Sequence, residues 1–485
     1  MMKRKVTFFC LMVFSITLWV PSKAQSINTE AQQTQDRAYL QDLISKALHQ
    51  NREVQNLQLG YHKTEIQKKM AWGTFIPKVS LNGGYAYAGL NVHDIQTPQS
   101  ILGMGQNLGG MLGGLAPVIA AGNPALGAML PELIGKLPEI PSSFGLTSND
   151  MNIWNAGISA KMVLFSGLKV TYLSKALDHK IAAERLMVKR QEGQVIKEVT
   201  DYYDKLGLIS ASEQVLNDAR KLLDKEKTRA QKAKANGLIT RYDLQKIEIA
   251  SLDLDTKDIE LSGNKQLVLT RLEQLTGEPA EAIAMHHVVL TPWVQVSTGN
   301  DINHRPEVAA LKESVAARSY QQKATISGYL PKAMAFGTSQ YINMKDMAVV
   351  DPASMVGVAV TWEIFDGFHT AHERQIAKID HTIAVNKLED ATSLLALSLE
   401  KTKVDFQVNS SKIAVLQQKV EKANLGLEIR SKEYAEGLAT VNQLLEAITD
   451  LQQTKMALNK VIYDQRRAGV SLLEATGDLQ LENIQ

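Results

Sequence analysis

The residues that could carry chemistry are few. His369 and His372 are three positions apart, which puts two imidazoles on one face of a helix, where they could clamp a metal ion. No carboxylate at a fixed ligand spacing accompanies them in the pattern, so two solvated histidines are the favoured interpretation. His286 and His287 follow one another in a connecting segment, where a hydrogen-bonded surface pair is expected.

Other catalytic motifs are missing from the sequence. It has no HExxH string, no nucleophile elbow and no glycine-rich phosphate loop. The single cysteine, Cys10, lies in an apolar N-terminal run, and the chain after that run contains no thiol. A disulfide framework, a zinc-thiolate site and a cysteine nucleophile are therefore excluded there. We therefore expect no enzyme activity, no cofactor and no metal.

Two short glycine strings are more informative. One is Gly237-Leu238-Ile239-Thr240 and the other is Gly437-Leu438-Ala439-Thr440. In each string the glycine suits the left-handed residue that ends a helix, and the threonine suits the N-cap of the next helix. Asp243 and Gln443 follow those threonines at the spacing of a capping box.

The N-terminus indicates export. Lys3, Arg4 and Lys5 precede an apolar run over 6–20, and a small-residue cleavage site ends at Ala24. An uncleaved membrane anchor would need roughly 18 or more apolar residues. Without this signal the chain keeps 49 basic and 51 acidic residues, a net charge of −2, so no nucleic-acid partner is expected.

The elements that must position the glycine strings occur twice. Matched strings keep an offset of 254 up to a Pro-Lys pair and an offset of 200 beyond it, so the first copy carries a 54-residue insertion. The organisation predicted from them is a signal over 1–24, a first repeat over 25–279, a linker over 280–300, a second repeat over 301–477 and a tail over 478–485.

Each copy is predicted to open with a helix of about two dozen residues that ends at Pro77 or Pro331. The apolar residues then alternate with small or polar ones, the pattern of a two-faced strand. Such strands of roughly ten residues could cross a bilayer or build a soluble sandwich, and four of them cannot close a barrel without partner copies. The residues predicted to face lipid are Trp154, Ile158, Met162, Leu164, Val358, Val360, Trp362 and Ile364.

After Gly167 and Gly367 the apolar period becomes helical. From Gly167 to Gly237 is 70 residues, or on the order of 100 Å of helix. A second helix returns from Thr240 or Thr440. The cleanest coiled-coil seam is Leu395, Leu399, Thr402, Phe406, Asn409, Ile413, Leu416, Val420, Ala423 and Leu427.

Two further matched strings of the Phe-x-Gly type are Phe165-Ser166-Gly167 and Phe365-Asp366-Gly367. With the duplication, the prolines before strands and the paired Gly-Leu-x-Thr turns, in this order, they make the chain resemble the TolC-like outer-membrane efflux protein family. Arg305-Pro306-Glu307 opens the second copy as in that family. The resemblance implies an α+β membrane protein in which four transmembrane strands per chain contribute to a trimeric 12-stranded β-barrel, continued by a long coiled-coil α-helical barrel.

The resemblance also implies a function. A homotrimer in outer-membrane lipid, extending into the periplasm, would be a passive duct for efflux or type I secretion. It would be opened by a periplasmic adaptor and an inner-membrane transporter. The rival interpretation is an exported coiled-coil scaffold or adhesin without a pore, which would have no use for lipid-facing strands.

By the same resemblance, the two turns form the periplasmic tip. The adaptor-contact residues would be Gly237, Leu238, Thr240, Gly437, Leu438 and Thr440, and the pore constriction would involve Asp243, Gln443 and Glu446. Asp243 can serve as a cap, a pore-lining group or both. Gln443 stands where the family often has a carboxylate, which leaves Glu446 as the second-copy acid, and Ala439 stands where some members have a latching arginine. Arg241 could replace that arginine, although a plain exposed residue is favoured.

The insertion, at about 90–150, is rich in Gly, Leu, Met and Pro and is uncharged over 101–131. Its position makes it the outer loop between the first two strands. An apolar loop of this kind is expected to pack over the barrel mouth or against a partner, with a disordered low-complexity loop as the alternative.

Overall fold

The computed structural model describes residues 23–89, 150–237, 239–286, 288–293, 302–344 and 348–484. Side chains are described from residue 35 onward, except at the outer strand ends (88–89, 150–151, 344 and 348–352). The signal proposed over 1–24, apart from its last two residues, and the apolar loop at 90–149 lie outside the described residues. Within the described residues, no helix is both long and apolar enough to cross a membrane.

Long helices dominate the chain. They are α1 (Lys23–Gln50), α2 (Arg52–Trp72), α3 (Lys169–Ala235), α4 (Arg241–Thr276), α5 (Ala280–Met285), α6 (Pro306–Ala324), α7 (His369–Ala435) and α8 (Val441–Thr476). The strands are β1 (Lys78–Gly89), β2 (Asp150–Phe165), β3 (Lys332–Met344) and β4 (Ala348–Thr361). Long helices combined with one sheet confirm the predicted α+β class.

The helical hairpins of the two copies have equal lengths. Both α3 and α7 contain 67 residues, and both α4 and α8 contain 36. Each return helix ends on a left-handed glycine, Gly277 with φ 69° and Gly477 with φ 80°. Glycine adopts this conformation without the steric penalty of a side chain. The constant offset of 200 in the sequence therefore corresponds to matched helices in the structure.

The strands form one antiparallel sheet in the order β1-β2-β3-β4. β3, which was predicted mainly from its partner copy, is present over 13 residues. β4 ends at Thr361, so the prediction that Trp362 and Ile364 belong to this strand is wrong. The reason is the register: Thr361 pairs with Lys332, the first residue of β3, and the residues beyond it have no partner strand.

The strand-to-helix connections of both copies adopt the same uncommon backbone conformation. Gly167 and Leu168 have φ values of 63° and 66°, and Gly367 and Phe368 have 65° and 67°. A left-handed residue with a side chain is uncommon, because its Cβ approaches the following carbonyl oxygen. The Phe-x-Gly strings of both copies thus mark the same two-residue turn.

The chain divides into two compact units. One comprises Met1–Leu59, Arg185–Ala310 and Glu389–Gln485, and its core includes the fully buried residues Leu40, Ile44, Leu216, Ile247, Leu272 and Leu444. The other comprises Gly60–Glu184 and Leu311–Leu388 and contains the sheet. Helix α1, which was not predicted, belongs to the first unit and buries Leu40, Leu43, Ile44 and Ala47 there.

The connecting segment after α5 is held by polar contacts within the first unit. His286 lies 2.9 Å from a carboxylate oxygen of Asp36, and its ring stacks on Tyr39 at a centroid distance of 4.1 Å. The expectation of a surface pair is therefore wrong for His286, because this side chain is largely buried against α1. His287 lies outside the described residues.

Candidate functional site: two glycine turns and a two-faced sheet

The first turn joins α3 to α4. Gly237 has φ 70° with no other atom near its missing Cβ, so the helix ends there by backbone geometry and not by packing. Thr240 then caps α4: its hydroxyl accepts from the Asp243 amide at 3.2 Å, and the Asp243 carboxylate accepts from the Thr240 amide at 3.2 Å. The predicted capping box is confirmed in the first copy.

The second turn repeats this geometry between α7 and α8 with an uncharged cap. Gly437 has φ 76°, and Gln443 replaces the aspartate, its Oε1 accepting from the Thr440 amide at 2.9 Å. The Thr440 hydroxyl accepts from the Gln443 amide at 3.4 Å. The capping box is confirmed here too. Both turns are thus ordered by their own residues and leave their outer surfaces free for a partner.

The electrostatics of the two turns differ. The hydroxyl hydrogen bond from Thr240 lowers the pKa of Asp243, and the Thr240 amide and Lys246 lower it further against the opposing effect of burial. Lys246 lies over the Tyr242 ring, 4.4 Å from its centroid. In the second copy the equivalent pair is Gln443 and Glu446, both exposed. The first turn therefore has two basic residues, Arg241 and Lys246, beside its one carboxylate, whereas the second carries an exposed carboxylate at Glu446.

The other predicted tip residues are exposed as well. Leu438 is 75% exposed although it is apolar, and its amide donates to the Glu433 carbonyl at 2.8 Å. A single exposed apolar side chain is normal on a protein surface, so the exposure of Leu438 does not by itself indicate a partner. Leu238, its first-copy equivalent, lies outside the described residues.

The sheet presents two chemically distinct faces. Tyr85 and Trp154 share one face, with ring centroids 5.0 Å apart, and Ser80 and Ser159 share the other, with hydroxyls 2.8 Å apart. The predicted lipid-facing residues of β2 and β4 lie on the first face, where Trp154, Ile158, Val358 and Val360 are exposed. Leu164 is also exposed, at a register irregularity, whereas Met162 is only partly exposed.

Comparison with known proteins gives a consistent result. Residues 300–478 match the model of the outer membrane efflux protein family. The outer membrane efflux protein BepC of Brucella suis is 24% identical over 346 residues, covering 68% of this chain and 73% of that protein. The second repeat of the chain thus resembles the outer membrane efflux protein family, and the longer alignment with BepC agrees with that resemblance. It is accordingly located in the outer membrane.

Solved structures share the fold of this chain. The outer membrane protein VceC of Vibrio cholerae aligns with a TM-score of 0.70 at 16% identity, covering 91% of this chain and 96% of that chain. The CmeC outer membrane channel of Campylobacter jejuni aligns with a TM-score of 0.70 at 14% identity, covering 91% and 86%. At these identities the likeness concerns the fold alone.

Sequence reasoning missed part of the surroundings of the first turn. Tyr434, in the last turn of α7, packs against the core cluster formed by α3, α4 and α8. Burial raises the pKa of Tyr434, and the carboxylates of Glu226 and Asp243 raise it further, while Arg229 opposes them. Glu226 is fully buried and forms an ion pair with Arg229 at 3.0 Å. Tyr434 stands three residues before Gly437, and that position was the available signal.

Two further predictions concern charged groups. Arg241 is exposed and forms no ion pair within the described residues, and both of its interpretations, a substitute for the latching arginine and a plain surface residue, stay predictions. His369 lies 3.8 Å from Glu373 at i+4, so the expectation that no carboxylate accompanies the histidines is wrong. Both groups are exposed, and no cluster of three or more metal-ligating side chains was found in the part of the chain that the structure describes.

Proposed function

We propose that the protein is a homotrimeric outer-membrane channel and periplasmic duct. The sheet carries this proposal. One of its faces is largely apolar and uncharged, the other carries most of the polar groups, and the outer edges of its two edge strands β1 and β4 have no partner among the described residues. An open edge at bilayer depth would leave backbone groups unsatisfied, so each edge requires a neighbouring strand. Three copies joined β1 to β4 would give a closed barrel of twelve strands.

The helices support the same assembly. On α7, Leu397, Val404, Val408 and Val415 form an exposed apolar stripe beside the buried seam. On α4, Ile249, Leu252, Ile259 and Leu267 form a second exposed stripe. Two different apolar stripes on one chain fit a head-to-tail interface, which closes into a ring when the rotation allows it. The predicted seam residues themselves are all buried or partly buried, as a packed coiled coil requires.

The two glycine turns would be the working end of this duct. Their exposed residues would contact a periplasmic adaptor, and Asp243, Gln443 and Glu446 would line the constriction. The channel would be passive, since no described residue forms a catalytic or nucleotide-binding arrangement, and an inner-membrane transporter would supply the energy. A scaffold without a pore is disfavoured, because a scaffold does not need a sheet with one uncharged apolar face.

A paired substitution on β4 tests the proposal. Val358→Lys adds a charge to the apolar face, and Ala359→Lys adds the same charge to the polar face one residue away. A lysine near the bilayer midplane costs about 2–4 kcal/mol on the lipid side and little on the lumen side. We expect Val358→Lys to reduce the outer-membrane trimer on unboiled gels and Ala359→Lys to leave it intact. Soluble monomer or dimer from the wild-type chain would refute the proposal.

A further inference from the structure

All the charged side chains described on the polar face of the sheet have the same sign. Lys78, Lys161 and Lys332 lie on this face, together with Ser80, Asn82, Asn155, Ser159, Thr338 and Gln340. No described strand residue on this face is acidic. The first carboxylate after β4 is Glu363, two residues beyond the end of the strand.

Two of the lysines are direct neighbours. Lys78 and Lys161 are Cα partners in the β1–β2 ladder, and adjacent strands lie about 4.8 Å apart. Like charges opposite one another repel and weaken the pairing of the strands. Lys332, the first residue of β3, begins its strand at the same end of the sheet as Lys78 begins β1.

Nothing in the described part of the chain neutralises these lysines. All three are exposed, and none forms an ion pair or hydrogen bond with a described residue. By contrast, the lysines of the helices commonly have acidic partners, such as Lys68 with Asp178 at 2.6 Å in the same unit. The sheet lysines therefore present uncompensated charge to the water that covers the polar face.

We propose that Lys78, Lys161 and Lys332 form an anion-attracting collar, which makes the strand-lined part of the channel favour anionic solutes over cationic ones. This inference rests on the proposed trimeric channel, in which the collar contains nine lysines. A water-filled passage with low-dielectric walls focuses such a field, and rings of basic side chains line anion-conducting pores. The adjacent Lys78–Lys161 pair suits a group with several negative oxygens, a phosphate or a carboxylate.

Block by a small polyanion tests the collar directly. Wild-type trimer is reconstituted in a planar bilayer in potassium chloride, and inorganic pyrophosphate is added to either side. We expect pyrophosphate to reduce the current, and the triple variant Lys78→Gln, Lys161→Gln, Lys332→Gln to need at least tenfold more of it. The triple arginine variant at the same positions keeps the charge and should be blocked as the wild type is.

The outcomes separate the collar from the channel itself. If the wild type and the triple glutamine variant conduct but respond equally to pyrophosphate, the collar is refuted while the channel stands. If the wild-type trimer forms no conducting channel in the bilayer, the proposed function itself is refuted. Glu363→Gln should increase the sensitivity to pyrophosphate, because it removes the nearest acidic residue in the sequence after β4.

Discussion

The two glycine turns have the same backbone and different charges. Both end a 67-residue helix on a left-handed glycine, and both begin a 36-residue helix with a threonine capping box. The first turn uses Asp243 for the box and places Lys246 near it, whereas the second uses Gln443 and leaves Glu446 exposed. The fold of the turn thus requires the hydrogen-bonding atoms and not the charge. The charge is free to serve another purpose.

The largest expected effect comes from the shared glycine. Gly437→Val forces a β-branched residue into φ 76°, and we expect a local cost of about 1–3 kcal/mol that distorts the turn without unfolding the helices. Gly426→Val is the matched control, since this helical glycine also has nothing within 4 Å of its missing Cβ but has no positive φ. Adaptor binding and efflux are measured in both variants.

Gly237→Val makes the comparison between copies. Its φ of 70° predicts the same local strain in the first turn. If both turns contact the adaptor, both valine variants lose binding and Gly426→Val does not. Unchanged export by the Gly437→Val trimer would show that the second turn is not an adaptor site.

A smaller effect concerns pH. The folded pKa of Asp243 is lowered, so the stabilisation from its ionised cap is present above about pH 3.9, the ordinary value of an unfolded aspartate. That stabilisation is lost as the pH falls through the lower, folded value. We therefore expect Asp243→Asn to lose less stability than the wild type between pH 5 and pH 3, as measured by urea denaturation of the trimer.

The second copy supplies the control for this pH effect. Gln443→Glu should add a pH dependence of the same sign to a turn that has none from its cap, because a glutamate at this position can accept the same Thr440 amide. A Gln443→Glu variant with the wild-type pH profile would contradict the equivalence of the two caps.

The smallest effect concerns ion selectivity at the second turn. Glu446→Gln removes one exposed carboxylate per chain, and we expect a modest shift of ion selectivity toward anions, read from the single-channel reversal potential in a salt gradient. Glu436→Gln, an exposed glutamate on the other side of Gly437, serves as the control. Equal reversal potentials for all three proteins would exclude Glu446 from the constriction.

Local patterns in the sequence predicted those features that local physics determines. The left-handed glycines, the capping boxes, the alternating strands and the coiled-coil seam each depend on a few neighbouring residues, and the structure confirms them. The end of β4 was mispredicted because Trp362 and Ile364 continue the alternation, while the register of β3 decides where pairing stops.

Features that depend on distant partners were missed. His286 is buried because Asp36, 250 positions away, accepts its hydrogen bond, and no local signal reveals this. Tyr434 owes its raised pKa to burial and to Glu226 and Asp243, which approach it only when the hairpins pack. Helix α1 escaped notice because the sequence shows no apolar period before Leu40, Leu43, Ile44 and Ala47, the apolar residues that the structure finds buried.

The equal lengths of the two hairpins set a rule for changing this protein. A heptad removed from α3 alone would shorten one hairpin arm by about 10 Å and leave its counterpart α7 unchanged. Deleting matched heptads from all four long helices would shorten both hairpins together and keep every seam in phase. The natural insertion lies in neither hairpin but between β1 and β2. The four long helices can therefore change length only together, whereas the connection between β1 and β2 can change length by itself.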